Sequence, residues 1–203
     1  MLLNYITWDV DPEIFPVGPL SIRWYGLLFA AAFYFSYLIV RRMFKKEGVS
    51  DEVLDRLTLY VFVGTVVGAR LGHCLFYEPG YYLSNPVEII KIWKGGLASH
   101  GGAIGIIFAL YLFVRKEKKP YIWILDRIAV VAAISGFFIR MGNLFNSEIY
   151  GYETDLPWGF IFVKAGETVP KHPTQIYEAL AYLLIFILLY SIYNRSPKGN
   201  TRS

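Results

Sequence analysis

Apolar residues in this chain collect into five long runs bounded by polar or charged segments, instead of alternating at the two-residue period of a half-buried strand. Residues 24–40 carry no charge, and with their flanks they approach the ~20 residues that a helix needs to cross ~30 Å of hydrocarbon. The runs predict transmembrane helices over 20–41, 57–77, 97–114, 121–140 and 174–193, joined by longer loops at 78–96 and 141–173. With no linker, low-complexity tract or repeat, residues 1–203 read as a single membrane domain of the all-α polytopic class.

Composition agrees: 55% of residues are hydrophobic and 18% aromatic, mean hydropathy is +0.41, and soluble domains hold only about 45–50% apolar residues. Basic residues then set the expected direction of crossing. Arg41, Arg42, Lys45, Lys46 and Arg56 follow the first run, Arg115, Lys116, Lys118 and Lys119 follow the third, and Arg195, Lys198 and Arg202 follow the fifth. The opposite loops hold only Lys91, Lys94, Lys164 and Lys171, so the positive-inside bias puts the N-terminus outside and the C-terminus in the cytoplasm. The net charge of +4 is thus a topology signal, and no nucleic-acid partner is expected. The first twenty residues carry Asp9, Asp11, Glu13 and prolines without a basic leader, unlike a cleavable signal peptide. A lone cysteine, Cys74, rules out an internal disulfide and a Cys-based zinc site.

Alternating crossings would bring most of the polar residues within the runs to one side. Arg23 and Tyr25 open the first run, Arg70 and His73 close the second, His100 opens the third, Arg140 closes the fourth, and Gln175 and Glu178 open the fifth. All would face outward. Asp126 and Arg127 are exceptions near the inner side, where pairing of Asp126 with Arg56 and of Arg127 with Asp55 would serve structure.

His100 stands before Gly101 and Gly102; an imidazole can take up a proton near neutrality, and the glycines let a substrate approach the backbone. Arg140, Asn143, Asn146 and Glu148 concentrate one cation, two amides and one carboxylate at the end of the fourth run. A guanidinium there suits bidentate binding of phosphate, and Asn143 shares its helical face. Arg70 and His73 share a face too, and an arginine inside a span costs roughly 2.5–3.5 kcal/mol, so Arg70 needs a partner such as a phosphate headgroup or Glu178. Glu178 is open to orienting Arg70 or Arg140, or to accepting a bond from substrate. Gln175 lies one turn earlier, and Thr174 is positioned to cap the helix.

Gly64, Gly68 and Gly72, with Gly101 and Gly105, follow the four-residue spacing that lets helix backbones approach, or alternatively leaves room for an acyl chain. Asn85, Pro86 and Glu88 predict a capped, partly amphipathic helix lying along the interface. Residues 159–164 predict a strand inside the second loop.

The segments Arg23-Trp24-Tyr25-Gly26, His100-Gly101-Gly102-Ala103-Ile104-Gly105, 140–151 and 172–178 resemble, in order, those of bacterial prolipoprotein diacylglyceryl transferases. The resemblance covers essentially the whole chain. It implies a multi-pass enzyme of the bacterial plasma (inner) membrane that moves diacylglyceryl from phosphatidylglycerol to the lipobox cysteine of a preprolipoprotein, forming a thioether and releasing glycerol phosphate at the outer leaflet. It further implies functional positions at Tyr25, His100, Arg140, Asn143, Asn146, Glu148 and Gly151, with no metal or organic cofactor. In this framework His100 is the candidate base and Arg140, helped by Asn143, stabilises the departing phosphate. Tyr25 would orient the headgroup, and Arg70, Gly101, Gly102, Gln175 and Glu178 complete the expected substrate-binding set. Two departures accompany the resemblance: Ile139 where the family motif has glycine, and a chain ending at Ser203 where family members continue into a further helix bearing an arginine. The second leaves open a phosphatidylglycerol-binding or scaffold protein impaired in turnover.

Overall fold

The computed structural model describes residues 5–17 and 20–195 and is mostly helical. Strands β1 (Ile6–Trp8), β2 (Glu13–Val17) and β3 (Leu20–Arg23) precede α1 (Trp24–Glu47) and α2 (Asp51–Phe76). Two short helices, α3 (Pro79–Ser84) and α4 (Pro86–Ile89), and a 3-10 turn at Ile92–Lys94 lead to α5 (Ser99–Glu117). Then come α6 (Tyr121–Phe145), β4 (Phe160–Phe162), a 3-10 turn at Val163–Ala165 and α7 (Thr174–Arg195). Lys198 and Arg202, which contribute to the charge bias, lie outside the described residues.

Helices α1, α2, α6 and α7 are each long and apolar enough to cross a membrane. Helix α1 runs past the end of its apolar stretch, through Lys45 and Lys46 to Glu47, because Arg, Lys and Glu propagate a helix well once it has started. The 97–114 run forms the 19-residue α5, whose ends are occupied by Ser99 and His100 on one side and by Arg115, Lys116 and Glu117 on the other. Residues 20–23, expected to begin the first span, pair as β3 with β2 in an antiparallel hairpin; Arg23 bonds Glu13 at 2.8 Å.

The described residues cluster into two compact units, divided between Val40 and Arg41 inside α1 and between Arg127 and Ile128 inside α6. In the unit of residues 41–127, α2 and α5 pack antiparallel at very short range. A side chain added at Gly64 would meet Ala109, one at Gly68 the Gly101 carbonyl and Gly105, and one at Gly72 the Gly101 Cα at 2.6 Å. The glycine spacing therefore serves helix packing here. Beside the contact runs an apolar groove of about 650 Å³, lined by Leu59, Val63, Val67, Ile104 and Phe108 among others.

Among the described residues, Arg56 and Arg127 each pair with a glutamate. Arg56 takes Glu117, with Nε 2.7 Å from Oε1, and not Asp126, which remains largely exposed. Arg127 forks onto Glu47 through Nε and Nη2 at 3.1 and 2.8 Å, and Trp123 Nε1 donates to the second Glu47 oxygen at 3.0 Å. The end of α1 brings in Glu47, eighty residues from Arg127 in the chain and outside spans two and four, so helical spacing within those spans does not reach it.

In the other unit, β1 pairs in parallel with β4, Ile6 opposite Phe160 and Trp8 opposite Phe162. Leu144, Phe160 and Phe162 form a small core, packed by Trp8, Met141, Tyr150 and Ile176. This core ties the N-terminal strand and the start of α7 to the end of α6. Ser36 and Ser135 hydroxyls bond at 3.0 Å, and the Phe35 and Phe138 rings stack at 5.3 Å, linking α1 to α6.

Two expected caps do not form among the described residues. Asn85 donates through Nδ2 to the Tyr81 carbonyl at 3.0 Å and gives no side-chain cap to α4, while Glu88 pairs with Lys91. The predicted interfacial helix is broken into α3, α4 and a turn, yet Leu83, Val87, Ile90 and Trp93 are all exposed, as an interfacial segment requires. Thr174 donates its hydroxyl to the Ile149 carbonyl at 2.9 Å, so it fastens the preceding connector to α7.

Candidate functional site

The end of α6 builds a polar chain. Arg140 Nε lies 2.7 Å from Glu178 Oε2, and its Nη1 donates to Asn143 Oδ1 at 3.3 Å. Asn143, one turn later and buried, donates through Nδ2 to Glu148 Oε1 at 2.8 Å, and Asn146 Nδ2 reaches the same oxygen at 3.2 Å. Glu178 is thus committed to Arg140, and Glu148 to the two amides. Among the described residues no hydrogen bond engages Arg140 Nη2. The Arg140 side chain is 24% exposed, and Nη2 is left as a donor edge for an anionic oxygen.

The backbone beyond α6 is what turns Glu148 back toward Asn143. Ser147 and Ile149 flank it with φ of 53° and 58°, a left-handed conformation that costs a β-branched residue of order 1–3 kcal/mol. Local bonds hold it: Asn146 N–H to the Gly142 carbonyl at 3.0 Å and Glu148 N–H to the Asn143 carbonyl at 3.0 Å. From α7, the fully buried Gln175 donates through Nε2 to the Glu148 carbonyl at 2.7 Å. Gly151 N–H donates to the His172 carbonyl at 2.9 Å, and a side chain there would strike Thr174 and His172. Gly151 therefore allows the connector to lie flat against the start of α7.

Tyr25, on the first turn of α1, fits over Gly142: a Cβ at that glycine would lie 2.8 Å from the Tyr25 ring. Trp24 stacks on Phe145 at 4.9 Å. Three polar atoms around Glu148 are buried and unbonded among the described residues, namely Asn146 Oδ1, Ser147 Oγ and Gln175 Oε1. Buried polar atoms without partners are rare, and two of these accept only, so the surroundings of Glu148 suit a ligand or water that donates hydrogen bonds.

Tyr25, Arg140, Asn143, Asn146, Glu148, Gly151, Gln175 and Glu178 thus belong to one unit. His100, Gly101, Gly102 and Arg70 belong to the other. There, His100 is the second residue of α5, in edge contact with Phe76 at 5.5 Å and beside Tyr77 at 5.8 Å. Gly101 and Gly102 are buried against α2. Arg70 is 3% exposed and donates to four main-chain carbonyls.

Some contributors escaped sequence reasoning. Trp8 Nε1 donates to the Leu144 carbonyl at 3.1 Å, closing one of the orphan carbonyls at the end of α6. Tyr150 donates to Glu167 Oε1 at 2.7 Å, an arrangement that holds the Glu167 carboxyl below its ordinary value, with Lys171 adding to the effect, and pushes the Tyr150 phenol up. Trp158 Nε1 donates to the Tyr177 hydroxyl at 2.9 Å, and that hydroxyl lies 3.2 Å from His172 Nδ1. The high aromatic content of the 141–173 loop was the available signal for these contacts, without their pairing.

Fold and site together define a multi-pass helical membrane protein with a guanidinium, two amides and two carboxylates joined at the ends of membrane-length helices. The profile of the prolipoprotein diacylglyceryl transferase family matches residues 12–203. A phosphatidylglycerol–prolipoprotein diacylglyceryl transferase of Tolumonas auensis is 48% identical over 195 residues, covering 96% of this chain and 75% of that protein. Proteins of the same description from Porphyromonas gingivalis and Chloroherpeton thalassium are 50% and 46% identical, covering 93% and 98% of this chain and 70% and 74% of theirs. The chain belongs to the prolipoprotein diacylglyceryl transferase family and is a membrane enzyme of the transferase class.

Proposed function

We propose that this protein transfers the diacylglyceryl group of phosphatidylglycerol to the lipobox cysteine of preprolipoproteins at the outer leaflet of the bacterial inner membrane. The cysteine sulfur attacks the glycerol carbon bonded to phosphate. A C–S bond forms, the C–O bond breaks, and glycerol phosphate leaves with the electron pair. A free thiol with pKa ~8.5 is mostly protonated at neutral pH, so a base must receive its proton. We assign that role to His100, on the chemistry of the imidazole and its place beside Gly101 and Gly102.

The observation that carries the reading is the Arg140 guanidinium, held by Glu178 and Asn143 with Nη2 unspent. Negative charge grows on the phosphate as the C–O bond breaks, and a fixed guanidinium favours that state over the ground state. The unbonded acceptors Asn146 Oδ1 and Gln175 Oε1 suit hydroxyl groups of a glycerol headgroup, and Tyr25 over Gly142 suits its orientation. The membrane arrangement we adopt has five crossings, α5 included, with an external N-terminus, on the distribution of basic residues.

The test is mass spectrometry of a lipobox peptide incubated with the protein in phosphatidylglycerol-containing membranes. A thioether-linked diacylglyceryl product, lost on Arg140→Ala and on His100→Ala, is expected. Bound phosphatidylglycerol without product under any condition would reassign the protein as a lipid-binding scaffold.

A further inference from the structure

We infer that Arg70 is a positioning residue: it clamps the connector between α4 and α5 onto α2 and thereby sets the start of α5, where His100 stands. The proposal rests on the reading of His100 as the base. Its sequence-based alternative, a ligand for the lipid phosphate, requires accessible donors, and four of the five guanidinium N–H groups are directed to main-chain carbonyls. Nε donates to the Ile89 carbonyl at 2.7 Å, Nη1 to the Gly95 and Gly96 carbonyls at 2.6 and 3.1 Å, and Nη2 to the Glu88 carbonyl at 2.5 Å. The Tyr82 ring covers the guanidinium carbon at 4.9 Å. With 3% exposure, the charge is compensated by carbonyl dipoles and a π face in place of water or a carboxylate.

The clamp joins both sides of His100. On one side, Gly95 and Gly96 adopt φ of 85° and 75°, which turns both carbonyls onto Nη1; a side chain at Gly96 would strike His73 and Arg70 itself. Two residues on, Ala98 N–H donates to the Ala69 carbonyl at 2.9 Å, and α5 begins at Ser99. On the other side, His73, one turn from Arg70, stacks on Tyr77 at 5.6 Å, and Tyr77 borders His100. The imidazole of His100 is thus placed by a helix start that Arg70 fixes and by Tyr77, which stacks on His73, a ring that lies against Tyr82 and Gly96 as Arg70 does. Lysine has one ammonium and no planar fork, so it cannot span four carbonyls on two stretches of chain.

The experiment compares Arg70→Lys, Arg70→Gln and Gly96→Ala in the full chain, in phosphatidylglycerol-containing nanodiscs, by hydrogen exchange and by lipobox-peptide kinetics. Gly96→Ala perturbs the same connector and leaves the arginine in place. All three are expected to speed amide exchange over residues 88–98 by about tenfold, with 140–151 unchanged. They are expected to lower kcat by about tenfold while KM for phosphatidylglycerol stays within about twofold. Unaltered exchange at 88–98 in the arginine variants would overturn the clamp, as would a raised KM at preserved kcat rescued by lysine, the signature of a phosphate ligand. Accelerated exchange at 88–98 with fully active His100→Ala would leave the clamp standing and remove only the base assignment.

Discussion

Arg140 Nε and Glu178 Oε2 lie 2.7 Å apart, joining the end of α6 to the first turns of α7. The pair matters because the same guanidinium also donates to Asn143, so its plane is fixed by two partners on different helices. Arg140→Lys keeps the charge and loses the fork. We expect it to lower turnover of lipobox peptide by about 10²-fold or more, the scale associated with loss of a preorganised anion-stabilising donor. A turnover within a factor of two of the parent would remove Arg140 from the proposed role.

Glu178→Gln should act more mildly. The amide keeps the side chain's length beside Nε, but the guanidinium loses its charged tether and samples other rotamers. A decrease in kcat of about tenfold is expected, with intact thermal stability, since the pair is partly solvated and such pairs contribute little to folding. A large fall in Tm with unchanged kcat would identify the pair as structural.

The sequence placed the helices well because length and apolar content report membrane-length segments directly, and α1, α2, α6 and α7 all fall on expected runs. It also placed Asn143, Asn146 and Glu148 near Arg140, because helical spacing at the end of α6 is a local property. Less legible was anything that depends on distant partners. The pairing of β1 with β4 joins Ile6 to Phe160, and Trp8 finds a carbonyl at Leu144; neither leaves a periodic trace in the chain. Nor could the sequence say which carboxylate takes which arginine. Asn85 and Thr174 have the composition of caps, yet each hydrogen-bonds a carbonyl, since a side chain that can both donate and accept follows the partner that tertiary structure supplies.

The α2–α5 interface tolerates little volume. A Cβ at Gly105 would lie on the Gly64 carbonyl, and one at Gly72 would lie 2.6 Å from the Gly101 Cα, so backbone and not a flexible side chain stands in the way. Gly105→Val and Gly72→Val should each destabilise the protein by about 1–3 kcal/mol or more, the range for overpacking. Thermal unfolding in detergent would show it as a lowered Tm. An unchanged Tm in both variants would contradict the close approach of these helices.

Glu47 and Arg127 are 8% and 4% exposed at their side chains, so neither charge is relieved by water. Glu47→Gln leaves the buried guanidinium without its forked carboxylate, and breaking a buried pair from one side costs about 3–5 kcal/mol. The loss should appear in Tm, with the phosphatidylglycerol KM unchanged, because the pair lies outside the proposed substrate set. Replacing Trp123 by Phe removes the donor to the second Glu47 oxygen, at about 1–2 kcal/mol, and also shrinks the buried ring that lies under Arg127 and stacks on Phe44.

The Tyr150–Glu167 bond gives the 150–172 connector a defined pH window. Its first cause is the phenol O–H donated to Glu167, which lowers the carboxyl below its ordinary 4.5 and raises the phenol above its ordinary 10.0. A lowered folded-state pKa contributes stability that is present above 4.5 and is lost as pH falls through the depressed value. A raised phenol contributes stability that is complete below 10.0 and is lost as pH climbs beyond it. The connector should therefore be steadiest between these limits and loosen on acidification below 4.5. Because Tyr150 also stacks on Phe162 at 4.7 Å, loosening would reach the small core of Leu144, Phe160 and Phe162. Tyr150→Phe keeps the ring and deletes the donor. Its Tm should be lower than the parent's near pH 6 and fall less steeply between pH 5 and pH 3, so the two curves converge in acid. Parallel curves over that interval would show that the acid sensitivity comes from other carboxylates.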